Sequence, residues 1–500
     1  MSFKVAFIGA GSIGFTRSLL RDLLTVPEFS NIEVSFTDIN DQNLDMVTQL
    51  CQRDVEENGL DITIHATTDR RAALKDAKYI FNVVRIGGLE AFKTDIDIPL
   101  TYGVDQCVGD TLSAGGIMYG QRGIAEMLNI CKDIREVAQD DCLLLNYANP
   151  MAMLTWACNK YGGVRTVGLC HGVQHGHHQI AEAFGLEKEE VDIVCAGINH
   201  QTWYIQIQHN DEDLTDKLLE AFEKHPEFSK TEKVRIDMLK RFGYYSTESN
   251  GHLSEYVPWY RKNPDDIHNW IDLGTWINGE TGGYLRVCTE GRNWFETDFP
   301  NWMTDPPFEY KASERSEEHG SYIVEGLETG RIYRGHFNVV NNGIISNLPD
   351  DAIIEAPGYV DANGINMPMV GDLPLGCAAV CNTSISVQRL SVEAAVTGDD
   401  QLLSQAMMMD PLVGAVCNPN EIWQMVDDML MAQKEWLPQY EEAIKAAEYR
   451  FEHEKRVPTT DYKGAARLSV KSVDDMSKDR ESANQNAGEA DKAKERPANE

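Results

Sequence analysis

The chain has 500 residues, too many for one ordinary core, so two or three domains are expected. Hydrophobic residues make up 42% and charged residues 25%, the balance of a globular protein rather than a fibrous or disordered one. Lys and Arg number 45 against 79 Asp and Glu, a net charge of −34 that repels phosphate backbones and anionic lipid, so neither nucleic-acid nor membrane partners are expected. No apolar run nears the roughly 20 residues of a spanning helix. The opening Met1-Ser2-Phe3-Lys4 shows no basic stretch leading into a long apolar run and a cleavage site, and the 11 scattered cysteines suit reduced thiols. A cytoplasmic protein is expected.

In chain order, Lys4 to Ile8 reads as a short apolar strand, Gly9 to Gly14 as a tight turn, and Phe15 to Leu24 as a helix closed by Pro27. Ile32 to Phe36 reads as a second strand ending at Asp38. Leu44 to Glu57 predicts a helix and Ile62 to His65 a strand. Tyr79 to Val84 and Cys142 to Leu145 are near-continuous apolar runs, as buried parallel strands tend to be, with a helix over Ile124 to Val137 between them and a further strand over Val164 to Leu169. This alternation predicts an α/β fold: a Rossmann-like, doubly wound parallel sheet over residues 1–195. Past Asn199-His200 the texture changes, with strands near Phe337 to Val340 and Ile353 to Glu355 and helices over Val387 to Val396 and Glu421 to Gln433. Residues 196–463 are expected to form a second α/β or α+β domain that binds substrate and metal and mediates oligomerisation. Residues 464–500 hold no aromatic residue and are expected to be a disordered or weakly helical polar tail.

Gly9, Gly11 and Gly14 fit G-x-G-x-x-G directly after a strand and before a helix. The first glycine permits the turn, the second lets backbone approach a pyrophosphate, and the third allows close helix–strand packing. Ser12 lies in the same turn, where the helix N-terminus offers N–H donors to phosphate. Asp38 ends the next strand, where a carboxylate accepts hydrogen bonds from ribose hydroxyls and repels a 2′-phosphate. NAD is therefore expected over NADP.

Three further peptides carry chemistry: Asn146 to Pro150, Cys170 to Gln174, and Ala196 to His200. The first two follow predicted strands, at the sheet edge where ligands bind. Cys170 and His200 could hold a divalent ion. Spacing alone leaves packing open as the alternative for Cys170, and a solvated helix start as the alternative for His171, His175, His177 and His178.

Together these motifs resemble the NAD- and Mn²⁺-dependent glycosidases of glycoside hydrolase family 4, from Lys4 to about Pro438. The resemblance rests on Gly-Ala-Gly-Ser at 9–12, Gly-Asp-Thr at 109–111, Asn-Pro-Met-Ala at 149–152, Cys-His-Gly-Val at 170–173, Gly-Ile-Asn-His at 197–200, and Tyr-Ser-Thr-Glu-Ser at 245–249 leading into Glu255-Tyr256-Val257-Pro258-Trp259. It implies a lactate/malate-dehydrogenase-like fold. It also implies hydrolysis by oxidation at C3 of the sugar, proton removal from C2, elimination at C1 and addition of water, outside the two-carboxylate scheme of most glycosidases. It implies Cys170 and His200 as metal ligands, Asn149 as a sugar contact, Tyr256 as the C2 base and Asp110 as a carboxylate that raises the basicity of the tyrosine. His171 stands where phospho-α-glucosidases have an aspartate, and is the candidate acid. Arg85, in Arg-Ile-Gly-Gly, is either a surface ion pair or a ligand for a sugar hydroxyl or carboxylate.

Cys-His-Gly-Val points toward α-glucosidase or α-glucuronidase branches, whereas the longer Asn149 to Ala152 and Glu255 to Trp259 runs point toward α-galactosidase, the preferred reading. A uronide would need a cation, for which Arg85, Arg286 and Arg292 are candidates. The segment Trp276 to Phe295 looks like an insertion at the sugar pocket or a subunit contact. A small-molecule glycoside is the expected partner, and the resemblance implies a homodimer or homotetramer. A hydroxy-acid dehydrogenase and a non-catalytic NAD-binding protein are the competing classes.

Overall fold

The computed structural model describes residues 2–274 and 278–478. The first half builds six strands: β1 (Lys4–Ile8), β2 (Glu33–Thr37), β3 (Ile64–Ala66), β4 (Tyr79–Asn82), β5 (Leu143–Asn146) and β6 (Thr166–Gly168). All five of their pairings are parallel, in the order β3-β2-β1-β4-β5-β6. This is the strand order of a dinucleotide-binding fold, whose ligand crevice opens between β1 and β4, where the winding reverses. β4 and β5 are buried along their whole length, which is why they read as unbroken apolar runs.

The second half adds β7 (Asp192–Ile198), β8 (Gln201–His209), β9 (Glu212–Asp213), β10 (Tyr245–Ser246), β11 (Tyr333–Val340), β12 (Ile353–Asp361) and β13 (Gly364–Asn366). These strands join the same sheet, which has 13 strands in all among the described residues. The expected domain division at 195/196 falls inside β7. One seam connects the halves through a single register pair, Asn338 of β11 opposite Gly168 of β6, and within the second half Glu355 of β12 stands opposite Gly197 of β7 in another single pair. Asn338 and Glu355 are themselves cross-strand partners, so Gly168, Asn338, Glu355 and Gly197 form one row. Cys170 lies two residues beyond one end of that row and His200 three residues beyond the other.

Two helices are longer than their apolar periodicity suggested. The expected helix 124–137 begins at Ser113, because its first turns, rich in glycine and alanine, are buried rather than amphipathic. The helix expected over 387–396 runs from Leu375 to Thr397; its first turns are only half-buried, and their small and polar residues gave a weak apolar signal. Nine of the 11 cysteines are buried free thiols, as expected of small hydrophobes, and Cys170 and Cys288 are partly exposed.

The tail expectation needs correcting at its start. Tyr462 donates its hydroxyl to Asp105 at 2.8 Å, and the Ala465 N–H donates to the same carboxylate at 2.8 Å. Ala466 exchanges backbone and side-chain bonds with Thr281 and is buried. Arg467 pairs with Asp97, and the Lys471 N–H donates to Glu290. Composition undercounted this segment because its anchors are backbone N–H groups, which every non-proline residue carries. Residues 479–500 of the expected tail lie outside the described residues, as do residues 275–277, including Trp276.

Candidate active site

The glycine turn leaves β1 at the switch point. Gly9 has φ +81°, and a Cβ there would fall 2.9 Å from the backbone of Val83 and Val84, so only glycine fits. The Gly11 N–H donates to Oδ2 of Asp38 at 2.8 Å, and a Cβ on Gly11 would stand 2.9 Å from that same oxygen. Ser12 occupies the N-cap position of the helix Ile13–Leu24 without a side-chain cap bond. The expectation for Gly14 was different: a Cβ there would meet nothing within 4 Å, so close packing does not require this glycine.

Cys170, His200 and Glu248 converge from three separate connections. Their ligand atoms all lie within 4.8 Å of one another. Glu248 follows β10, and its Oε1 stands 3.9 Å from Nε2 of His200 and 4.0 Å from Sγ of Cys170. His200 and Glu248 both sit at left-handed backbone, φ +62° and +76°, a strained conformation for such residues that the surrounding packing holds. Thiolate, imidazole and carboxylate form a mixed donor set that suits a divalent transition ion. Burial pulls the His200 imidazole down, against the pull of Glu248, which leaves a nitrogen ready to ligate. Burial raises the Cys170 thiol well above its ordinary value, with Glu248 adding to it, so this thiol needs a cation to ionise. Burial would also raise Glu248, yet His200, His252 and His171, all cationic at the acid pH where it titrates, hold its carboxyl down at about 2.

The other nitrogen of His200, Nδ1, lies 3.0 Å from the Thr111 hydroxyl and 3.2 Å from the Tyr256 hydroxyl. This second contact orients the ring, as metal-binding histidines generally require. Tyr256 ends the helix Asn250–Glu255 and is almost wholly buried. Its phenol also lies 2.7 Å from Nδ1 of His252. Burial, then Glu255, Glu248 and Asp110, raise the phenol well above its ordinary value, against a bond from Thr111.

Asp110 accepts from the Thr111 hydroxyl at 2.9 Å and from Nδ2 of Asn149 at 2.9 Å, and lies 3.8 Å from Nε2 of His252. Arg85 is in no ion pair among the described residues, which removes the surface-ion-pair reading. Its guanidinium lies 4.7 Å from the ring of Phe92 and 5.4 Å from those of Tyr119 and Tyr284, and its Nη1 is buried without a hydrogen-bond partner. Arg286 is taken up by Glu280 and Glu290, and Arg292 by Glu90, so neither offers a spare charge.

His171 begins the helix Gly172–Phe184, and its ring is exposed with Nδ1 3.1 Å from Glu318. The hydrogen bond to that carboxylate pushes the imidazole up to about 8. Among the described residues the neighbouring histidines form no metal cluster. His177 bonds to the Val191 carbonyl and His178 pairs with Glu317.

Glu248, His252 and Glu255 were not among the residues singled out from the sequence. Glu248 stood inside the quoted run 245–249, and an acid flanked by threonine and serine was the available signal. His252 and Glu255 share one helical turn with Tyr256, and that spacing was the signal for them.

A dinucleotide turn at the switch point, together with a Cys-His-Glu cluster that has a buried tyrosine against it, defines a cofactor-using enzyme rather than a two-carboxylate glycosidase. Residues 4–186 match the family described as Family 4 glycosyl hydrolase, and residues 195–413 match the Family 4 glycosyl hydrolase C-terminal domain. The chain belongs to family 4 of the glycosyl hydrolases, and it is a glycosidase. It is 58% identical over 483 residues to an alpha-galactosidase of Rhizobium meliloti (strain 1021), covering 96% of this chain and 98% of that one. It is 33% identical over 442 residues to an alpha-galactosidase of Bacillus subtilis (strain 168), covering 87% and 99%. A 6-phospho-alpha-glucosidase from gut microorganisms, solved in complex with NAD and glucose-6-phosphate, is 26% identical with a TM-score of 0.73, covering 88% of this chain and 99% of that one. Among the described residues no helix is long and apolar enough to cross a membrane.

Proposed function

We propose that this protein is an NAD- and Mn²⁺-dependent α-galactosidase that cleaves small α-galactosides. The chemistry rests on one observation: the Tyr256 phenol touches His200, whose other nitrogen faces Cys170 and Glu248. The choice of galactose rests on the 58% identical relative. The residues present fit both groups. Gly9, Gly11 and Ser12 offer a turn open to a pyrophosphate, and Asp38 accepts from a ribose. Cys170 and His200, joined by Glu248, would hold the ion. When bound, NAD⁺ would supply a hydride acceptor at C3 of the sugar, and Mn²⁺ would supply Lewis acidity at its C2 and C3 oxygens.

The chain's own groups do the rest. Tyr256 removes the proton at C2; its buried, carboxylate-ringed phenol is a strong base once ionised, and ionisation requires the adjacent cation. Asp110 adds negative charge on the far side of His252 and fixes Asn149, whose Oδ1 is left for a sugar hydroxyl. His171, protonated at neutral pH through Glu318, gives a proton to the departing glycosidic oxygen at the mouth of the site. Arg85 donates its unpartnered Nη1 to a sugar oxygen. Eleven free cysteines and no disulfide support a cytoplasmic location, and the family resemblance supports a homodimer or homotetramer.

The test is a panel of nitrophenyl α- and β-glycosides and uronides, run with NAD⁺, Mn²⁺ and a reducing agent, each omitted in turn. The α-galactoside should be the best substrate, and each omission should abolish turnover. Undiminished hydrolysis without NAD⁺ would sink the mechanism, and a preferred glucoside or uronide would sink the sugar assignment.

A further inference from the structure

We propose that Glu255 is a positioning residue of this reaction. Its carboxylate latches the loop that carries Asp110 onto the short helix that ends in Tyr256. The inference rests on the reading of Tyr256 as the C2 base.

Glu255 has no solvent exposure. Its carboxylate accepts from three consecutive backbone N–H groups, those of Cys107 at 2.8 Å, Val108 at 3.2 Å and Gly109 at 3.1 Å. It also lies 3.0 Å from Nδ1 of His252. A carboxylate has about four acceptor sites, so this one is fully engaged. Three successive N–H groups turned inward form a backbone concavity that calls for an anion. Gly109, at φ +66°, allows the curl, and a Cβ there would fall 2.7 Å from Ile96. Among the described residues no Lys or Arg forms an ion pair with Glu255, so the loop dipoles and His252 balance its charge at contact and the buried Arg261 adds attraction from further off.

The latch joins two chain segments almost 150 residues apart, and each end is one residue from a group of the site. Gly109 precedes Asp110, and Glu255 precedes Tyr256. Between them stands His252. Its Nδ1 faces both Glu255 and the Tyr256 phenol, and its Nε2 faces Asp110 at 3.8 Å. No hydrogen bond joins Asp110 to Tyr256 directly among the described residues. Glu255 therefore sets their separation twice, through the loop backbone and through the orientation of the imidazole.

The test is Glu255→Gln in the full chain with NAD⁺ and Mn²⁺. The amide keeps the shape but turns an N–H donor toward backbone N–H groups. The expected result is a kcat lowered about 100-fold at a nearly unchanged KM, the cost of displacing a reacting group by about 1 Å. The isotope effect with substrate deuterated at C2 should rise, because proton removal becomes the slower step. Mn²⁺ binding followed by electron paramagnetic resonance, and NAD⁺ binding followed by fluorescence, should not change. A wild-type kcat would overturn the proposal. So would parallel loss of metal and cofactor binding with the isotope effect unmoved, the signature of a merely structural acid. Should Glu255→Gln fail to fold, Glu255→Asp withdraws the carboxylate by one methylene, and the same pattern is expected in smaller measure. Wild-type turnover in D₂O keeps the two readings apart. If no deuterium reaches C2 of the released sugar, the base assignment falls and the latch with it. If deuterium does reach C2 and Glu255→Gln behaves as wild type, the latch alone falls.

Discussion

Nδ1 of His200 stands 3.2 Å from the phenol oxygen of Tyr256. A residue placed to ligate a cation thus touches the residue placed to take a proton. A charge held at Nε2 is felt one ring away, at the group that most needs it, because the surroundings otherwise keep the phenol protonated.

Cys170→Ser should remove Mn²⁺-dependent hydrolysis while NAD⁺ still binds. The hydroxyl is a far poorer ligand than a thiolate, and the glycine turn lies on a different connection. Glu248→Gln should weaken Mn²⁺ binding but retain part of it, since Cys170 and His200 remain. Titration calorimetry with Mn²⁺ checks both, and unchanged metal affinity in Cys170→Ser would remove it from the donor set.

Gly11→Ala should weaken NAD⁺ binding by about tenfold to 100-fold, the equivalent of one charge-assisted hydrogen bond. The added Cβ would meet Oδ2 of Asp38 at 2.9 Å and push aside the carboxylate meant for ribose. Gly11 is not among the glycines with positive φ, so the fold should tolerate alanine there. Fluorescence titration with NAD⁺ measures the loss, and thermal melting of the free protein should barely move.

Glu355 gives a pH dependence of stability. Burial, with the Glu248 carboxylate nearby, pushes its carboxyl up to about 8, against Asn338 and Asn199. A carboxyl raised on folding contributes stability that is complete below its unfolded value, near 4.5, and is lost as the pH climbs through about 8. Glu355→Gln should therefore melt higher than wild type in mildly alkaline buffer, and the gain should shrink toward acid. Equal shifts at both ends would show that this carboxyl does not ionise across the range.

Much of this was legible in the sequence and some was not. Strands β4 and β5 announced themselves because each is a short apolar run ended by a polar residue, and the glycine turn sits where backbone clearance demands it. Cys170, His200, Asn149, Asp110 and Tyr256 were named in advance through family motifs, and the structure brings them to one place. Glu248, His252 and Glu255 were given no role, although the two acids stood in quoted runs, because an acid or histidine that folding encloses looks in sequence like an exposed one. The joining of both halves in one sheet was also invisible, since the seam between β6 and β11 is a single register pair and leaves no periodic trace.

Tyr462→Phe should destabilise the protein by about 1 to 3 kcal/mol, the range for a hydrogen bond to a charged group. It removes one of the donors to Asp105, which also holds Arg261 and Thr281. Ending the chain at Pro458 should do more. Thr281 would lose Ala466 just before the helix Gly283–Trp302, which places Tyr284 beside Arg85. KM for the glycoside should then rise while NAD⁺ affinity holds. A truncated enzyme with unaltered KM would show that this segment serves stability only.

One hydrophobic core holds Ile8, Ile80 and Leu144 from the first half together with Trp203, Ile354 and Met425 from the second. Neither half owns an interior of its own, so neither can melt alone. Scanning calorimetry should record one heat-absorption peak, and a ligand confined to the glycine turn should carry the whole molecule to a higher melting temperature.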